Sequence, residues 1–168
     1  GAGAGAREAA IKAVRGTLVN PLPCAIALGA LTSAVGVKLT GPPDVIVCNA
    51  GEVVPLTGVH GDPDEFARSV HVNLLGSQRI AARLGPAMVA QGHGDIVFVT
   101  SDVVVRQRTH MAAYVAAKSG LEGLARAMQM ELEGSGVRVG MVRPGPASTE
   151  QGTTWSEDVL HEIMPFWS

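Results

Sequence analysis

Aromatic residues are scarce in this chain: one tyrosine, two tryptophans and three phenylalanines among 168 residues. So few rings offer no stacking platform for unpaired bases. The thirteen Lys and Arg are scattered among fifteen Asp and Glu, for a net charge of −2, so no basic stripe can follow a phosphate backbone and no nucleic-acid partner is expected. Cysteine is nearly missing too. Cys24 and Cys48 both lie in apolar, strand-like runs, and two isolated thiols without a secretion signal fit a reducing, cytoplasmic setting better than a disulfide framework. The histidines His60, His71, His93, His110 and His161 never fall at a metal-ligand spacing such as HExxH, so no metal site is expected. The nucleophile elbow G-x-S-x-G does not occur, which removes the usual serine hydrolase. One charge-free run, Gly16 to Val37, has the length of a membrane span, but Asn20, Pro21, Pro23, Gly29 and Gly36 interrupt it. It reads as a buried parallel strand with flanking loops, and no membrane partner is expected.

What the chain does contain is a hydrophobic content of 46%, enough for one globular domain with a real core. Three runs, Val45 to Cys48, Ile96 to Thr100 and Val137 to Val142, are rich in Val and Ile and do not alternate with polar residues. Strands buried on both faces read this way. Between the first two lies a long helical pattern opened by Asp62 as N-cap, Pro63 at the first helical position and Glu65 in a capping-box arrangement. Phe66, Val70 and Leu74 carry its apolar face onward to Ala81, Leu84 and Met88. Between the second and third strands a further helix spans roughly Met111 to Glu133, with Leu121, Leu124, Met128 and Leu132 on one stripe and Gly134 and Gly136 as its stop. Strand, helix, strand, helix, strand predicts an α/β fold: a doubly wound parallel sheet of Rossmann type in three α/β/α layers. Ligands of such sheets bind at the carboxyl ends of the strands.

Ser101 stands at one of those ends, in "DIVFVTS"; Tyr114 follows thirteen residues later near the start of a helix, and Lys118 one turn beyond. A spacing of four places Tyr114 and Lys118 on one helical face. A phenol ionises near pH ~10, so proton exchange near neutrality requires its anion to be stabilised, and an adjacent ammonium can do this. A hydroxyl such as that of Ser101 could hold the oxygen of a carbonyl or alcohol while its charge changes.

These residues resemble the catalytic signature of the short-chain dehydrogenase/reductase family, a serine thirteen residues ahead of Tyr-x-x-x-Lys. Three further motifs are similar to the family's own. "DVIVCNAG" puts Asn49, Ala50 and Gly51 after a strand, "HVNLLGS" puts Asn73 inside a helix, and "RPGPAST" puts Pro144, Gly145 and Thr149 after the last strand. The resemblance implies an NAD(P)-dependent enzyme acting on CH–OH or C=O groups, with Asn73, Ser101, Tyr114 and Lys118 as the catalytic set. Tyr114 would be the general acid/base, Lys118 would lower its pKa and bind ribose, and Asn73 would hold a water in a proton relay. Asn49, Ala50 and Gly51 would support the adenosine side of the cofactor, and Pro144, Gly145 and Thr149 the nicotinamide side. It also implies a homodimer or homotetramer.

The likeness runs from about Val45 to Thr149 and weakens outside it. "GAGAGAR" offers Gly1, Gly3 and Gly5 for the pyrophosphate turn, with Gly1 and Gly5 the expected contacts, but Arg7 stands where the last glycine belongs. Only residues 31 to 43 separate "PCAIALGA" from "DVIVCNAG", too few for the helix, strand and helix that the family places there. The expectation is therefore one NAD(P)-binding domain over residues 1–168, incomplete at both ends. Residues 1–43 would be discontinuous pieces of a longer chain, and the family's final helix and strand would be absent. The choice between NAD and NADP stays open, because the discriminating position after the second strand falls near Leu31, in the suspected join. After Thr149, the residues Val159, Leu160, Ile163, Met164, Phe166 and Trp167 suit a hydrophobic carbonyl or alcohol substrate, or equally a helix packed on its own core or on a neighbouring subunit. Arg106 and Arg108, in "RQR", read as a solvated loop. The alternative function is a catalytically inactive nucleotide-binding or interaction protein on the same scaffold.

Overall fold

The computed structural model describes residues 41–145. Three parallel strands, Val45–Cys48 (β1), Gly94–Val99 (β2) and Val137–Val142 (β3), pair in the order β1-β2-β3. Val45 faces Asp95 in the first pairing, and Gly94 faces Val137 in the second. Parallel neighbours need long crossovers, and helices supply both. The first crossover is Pro63–Val70 (α1), a π-helical turn at His71–Leu75 and Gly76–Gln91 (α2); the second is Ala112–Glu131 (α3). This is the Rossmann-type arrangement of a doubly wound sheet that the order of elements predicts.

Local chemistry sets the helix ends. Asp62 caps α1 by accepting from the backbone N–H groups of Asp64 (2.7 Å) and Glu65 (3.2 Å), a contribution of about 1 kcal/mol. Only half of the capping box forms, because the Glu65 carboxylate turns to Arg68 instead. Gly92, with φ of 79°, ends α2 in the left-handed conformation and donates to the carbonyls of Met88 and Val89. Gly136, with φ of 82°, leads into β3, and a Cβ there would collide with the Gly92 carbonyl. Only glycine satisfies both demands.

One face of the sheet forms the core. Ile46, Cys48, Ile96, Phe98 and Val137 pack against Ala81 and Met88 of α2 and against Leu121 and Ala125 of α3. Full burial of a Leu, Ile, Met or Phe side chain contributes roughly 1.5–3 kcal/mol, so this contact fixes α2 and α3 on the sheet. Strand alternation sends Val45 and Val47 the other way, where both are more than half exposed. The Cys48 thiol is buried, and desolvation pushes its pKa up to about 11. It is an inert thiol at neutral pH. Among the described residues no helix is long and apolar enough to cross a membrane, and no group of three His, Cys, Asp or Glu could hold a metal ion.

Candidate active site

The carboxyl ends of all three strands deliver their successors to one side of the sheet. Asn49, Ala50 and Gly51 follow β1, Thr100 and Ser101 follow β2, and Arg143, Pro144 and Gly145 follow β3. The β2–β3 pairing persists past the strand ends: Thr100 N–H donates to Val142 O at 2.8 Å, and Asp102 N–H to Pro144 O at 3.1 Å. Ser101 is thereby held in an extended conformation beside the Pro144 turn. Its hydroxyl caps the short 3-10 helix Asp102–Val104 by accepting from Val103 N–H at 3.4 Å.

Helix α3 starts where Leu56 clamps its entry, accepting from Ala112 N–H (3.1 Å) and donating to His110 O (2.7 Å). Tyr114 and Lys118 follow at one-turn spacing, and the Lys118 Nζ lies 5.6 Å from the centroid of the Tyr114 ring. Lys118 is only 3% exposed, and its Nζ donates to Val99 O at 2.9 Å.

Asn73 is completely buried. Its Nδ2 donates to Glu52 O and Ser69 O, each at 2.9 Å, and to the Ser69 hydroxyl at 3.3 Å, while its Oδ1 accepts from Glu52 N–H at 3.0 Å. These bonds tie the segment after β1 to the helix. They occur where the helical ladder slips by one residue, with Gly76 N–H reaching back five residues to His71 O. The continuous α-helix expected over this region is thus interrupted at the one interior asparagine that propensity leaves unexplained. Gly51 sits between Asn73 and Lys118: a Cβ on it would lie 2.8 Å from Asn73 Oδ1 and 3.3 Å from Lys118 Nζ.

Burial dominates the electrostatics of both groups. The Tyr114 phenol lies above its ordinary value because it is desolvated; hydrogen bonding with Ser101 pulls it back, and the Asp102 carboxylate adds to the rise. Lys118 falls from 10.5 to about 8, again through desolvation. The ammonium lies over the ring face, which a helical spacing of four does not reveal. At neutral pH the phenol is protonated and the lysine still largely charged.

The lysine shift has a thermodynamic consequence. Between pH 8 and 10.5 the unfolded chain binds the Lys118 proton and the folded chain does not, so stability gains from this group as pH rises through that window. The gain is absent below pH 8 and complete above 10.5, and amounts to at most about 3 kcal/mol. Urea unfolding at pH 7.5, 9 and 10 is expected to show this rise in the wild type relative to Lys118→Met. Parallel pH dependences in the two proteins would mean that the ammonium is hydrated.

Of the sequence-predicted residues, the structure brings Asn73, Ser101, Tyr114 and Lys118 to this side of the sheet with Asn49, Ala50, Gly51, Pro144 and Gly145 around them. Gly1, Gly5 and Thr149 lie outside the described residues, as do the apolar segment after Thr149 and residues 1–40. Sequence reasoning missed Glu52, Ser69, Glu122 and Arg143. Glu122 had a signal: it continues the Tyr114, Lys118 stripe by one more turn and adjoins the apolar Leu121.

A helix-linked parallel sheet with Ser101, Tyr114 and Lys118 at its carboxyl edge defines a Rossmann-type domain. The chain belongs to the short chain dehydrogenase family, whose model matches residues 25–160. It is 31% identical over 126 residues to the 3-oxoacyl-(acyl-carrier-protein) reductase MabA of Mycobacterium avium, covering 75% of this chain and 49% of that protein. It is 36% identical over 120 residues to the trans-4-hydroxycyclohexanecarboxylate dehydrogenase of Sinomonas cyclohexanicum, covering 70% and 46%. The chain spans about half the length of these relatives. Among solved structures, a short chain dehydrogenase of Burkholderia cenocepacia J2315 in complex with NADP superposes with a TM-score of 0.61 at 26% identity, covering 67% of this chain and 47% of that one.

Proposed function

We propose that this chain carries the catalytic residues of an NAD(P)-dependent oxidoreductase that interconverts a carbonyl and a secondary alcohol. The observation that carries the reading is the convergence of Ser101, Tyr114 and Lys118 at the carboxyl edge of a parallel sheet, with Asn73 behind Lys118 across Gly51. Membership of the family and its NADP-bound structural relative support it.

The residues suit a nicotinamide nucleoside. Asn49 and Ala50, and Pro144 and Gly145, are exposed at two strand ends, and a Cβ on Gly145 would meet open space. The Lys118 ammonium has three donors and spends one on Val99 O, which leaves donors for ribose hydroxyls. When bound, the nicotinamide supplies the hydride in reduction and accepts it in oxidation. In reduction, the Ser101 hydroxyl holds the substrate oxygen and the Tyr114 phenol gives it a proton as the carbonyl carbon becomes a CH–OH carbon. In oxidation, Tyr114 takes that proton back. Lys118 orients the phenol and stabilises its anion once the proton has left, and Asn73 fixes the position of Lys118 through the segment around Gly51.

Parallel fluorescence titrations of NADH and NADPH against the protein test this directly. One nucleotide is expected to bind at least about tenfold more tightly, a difference of about 1.4 kcal/mol that reports the 2′-group preference. Binding of neither at millimolar concentration sinks the proposal and favours the inactive-scaffold alternative.

A further inference from the structure

The helix stripe that carries Tyr114 and Lys118 continues one turn further to Glu122, a carboxylate only 1% exposed. A buried carboxylate persists where its oxygens are satisfied, and here each has two donors. Oε1 accepts from the Thr100 hydroxyl at 3.3 Å and Arg143 Nε at 2.5 Å; Oε2 accepts from Arg143 Nη2 at 2.6 Å and Arg126 Nη2 at 2.9 Å. The carboxyl pKa is held below its ordinary value, chiefly by Arg143.

What matters is where those partners sit. Thr100 immediately precedes Ser101, Arg143 immediately precedes the Pro144–Gly145 turn, and Glu122 lies on the helix of Tyr114 and Lys118. One carboxylate therefore joins three separate segments, each of which delivers a group to the site. The fork of Arg143 meets both oxygens at once, which fixes direction as well as distance. Asp102 N–H donating to Pro144 O closes the loop between the two strand ends.

We infer that Glu122, acting through Arg143 and Thr100, is a positioning residue that sets the Pro144–Gly145 turn relative to Ser101 and the Tyr114–Lys118 face. It touches neither substrate nor cofactor. The inference rests on the oxidoreductase reading above for its effect on turnover, although the clamp itself can be judged without any ligand.

Glu122→Gln keeps the side-chain volume and a carbonyl acceptor but removes the charge that Arg143 grips, and Arg143→Lys keeps the charge but removes the fork. In the ligand-free protein, hydrogen exchange at the Asp102 amide is expected to quicken about tenfold in both variants. The Asp95 amide, bonded to Asp44 O at the far end of the sheet, should not change. In the active enzyme, KM for the nicotinamide nucleotide is expected to rise about tenfold, with kcat falling less than about threefold and Arg143→Lys the milder of the two. Uniform acceleration of exchange across the sheet would reduce Glu122 to a structural residue and overturn the inference. Unchanged exchange at Asp102 would do the same, as would unchanged KM in variants that turn over. If the wild type binds no nicotinamide nucleotide, the oxidoreductase reading fails by itself, and the exchange pattern alone decides for or against the clamp.

Discussion

Tyr114→Phe is expected to lower turnover at least about a thousandfold while leaving the affinity for the preferred nicotinamide nucleotide within about threefold. The substitution deletes one oxygen and nothing else from the packing: the ring is partly buried against Val103 and Met111, contacts that a phenylalanine retains. The Ser101 hydroxyl keeps its bond from Val103 N–H, so the strand end should not rearrange. Removing a general acid costs about 100- to 10,000-fold, and the geometry leaves Tyr114 without a substitute. The Lys118 ammonium donates to Val99 O and lies over the ring, 5.6 Å from its centroid. Burial strengthens the expectation, because it holds the phenol above its ordinary pKa and hence protonated at neutral pH, which is the form that donates to a carbonyl. Steady-state kinetics at saturating nucleotide, with binding followed separately by fluorescence, separate the two effects. A Phe variant with wild-type turnover would remove Tyr114 from the mechanism.

Much of this site was legible because its components are set by short-range pattern. Val45–Cys48 and Val137–Val142 read directly as parallel strands, since both are apolar runs apart from Arg138, but the expected burial on both faces does not hold: Val45, Val47 and Val142 are more than half exposed. The second strand begins two residues earlier than expected, at Gly94. There the polar Asp95 stays in the ladder by pairing across it with Arg138 at 2.8 Å, a partner that lies in another strand. Helix spacing placed Tyr114 and Lys118 on one face but said nothing of how deeply that face is buried, and burial decides both pKa values. Asn73 was legible from sequence as an asparagine inside a helix. The π-helical turn that accommodates it was not, because the slip is set by the tertiary bonds of Asn73 to Glu52 and to Ser69 rather than by helix propensity. Glu122 was not singled out by the sequence; Arg143, twenty-one residues on, makes it a tie between helix and strand. Charged partners at such separations leave no periodic trace.

Gly51→Ala is expected to lower kcat about a hundredfold and to destabilise the fold by roughly 1–3 kcal/mol, the usual cost of overpacking. The strain does not come from backbone conformation, since Gly51 is not among the described glycines with positive φ. It comes from space: the new methyl would lie 2.8 Å from Asn73 Oδ1 and 3.3 Å from Lys118 Nζ. Asn73 has little freedom to retreat, because its amide already holds Glu52 and Ser69 through four hydrogen bonds in a fully buried position. The 2.8 Å contact therefore has to be relieved by a shift of the segment around residue 51, and Lys118, with a single bond to Val99 O, is the neighbour displaced with it. Displacing it by a few tenths of an ångström or more shifts the charge that must meet the phenolate, and misplacement near 1 Å costs on the order of 100-fold in a positioned reaction. The control is Gly123→Ala on the same helix as Lys118. A Cβ there would meet nothing within 4 Å, so it should stabilise α3 by roughly 0.5–1 kcal/mol and leave kcat unchanged. Denaturant unfolding and saturating kinetics on both variants read the two predictions together. A Gly51→Ala protein with normal kcat would show that Asn73 and Lys118 need not meet across Gly51, and the role of Asn73 in fixing Lys118 would fall with it.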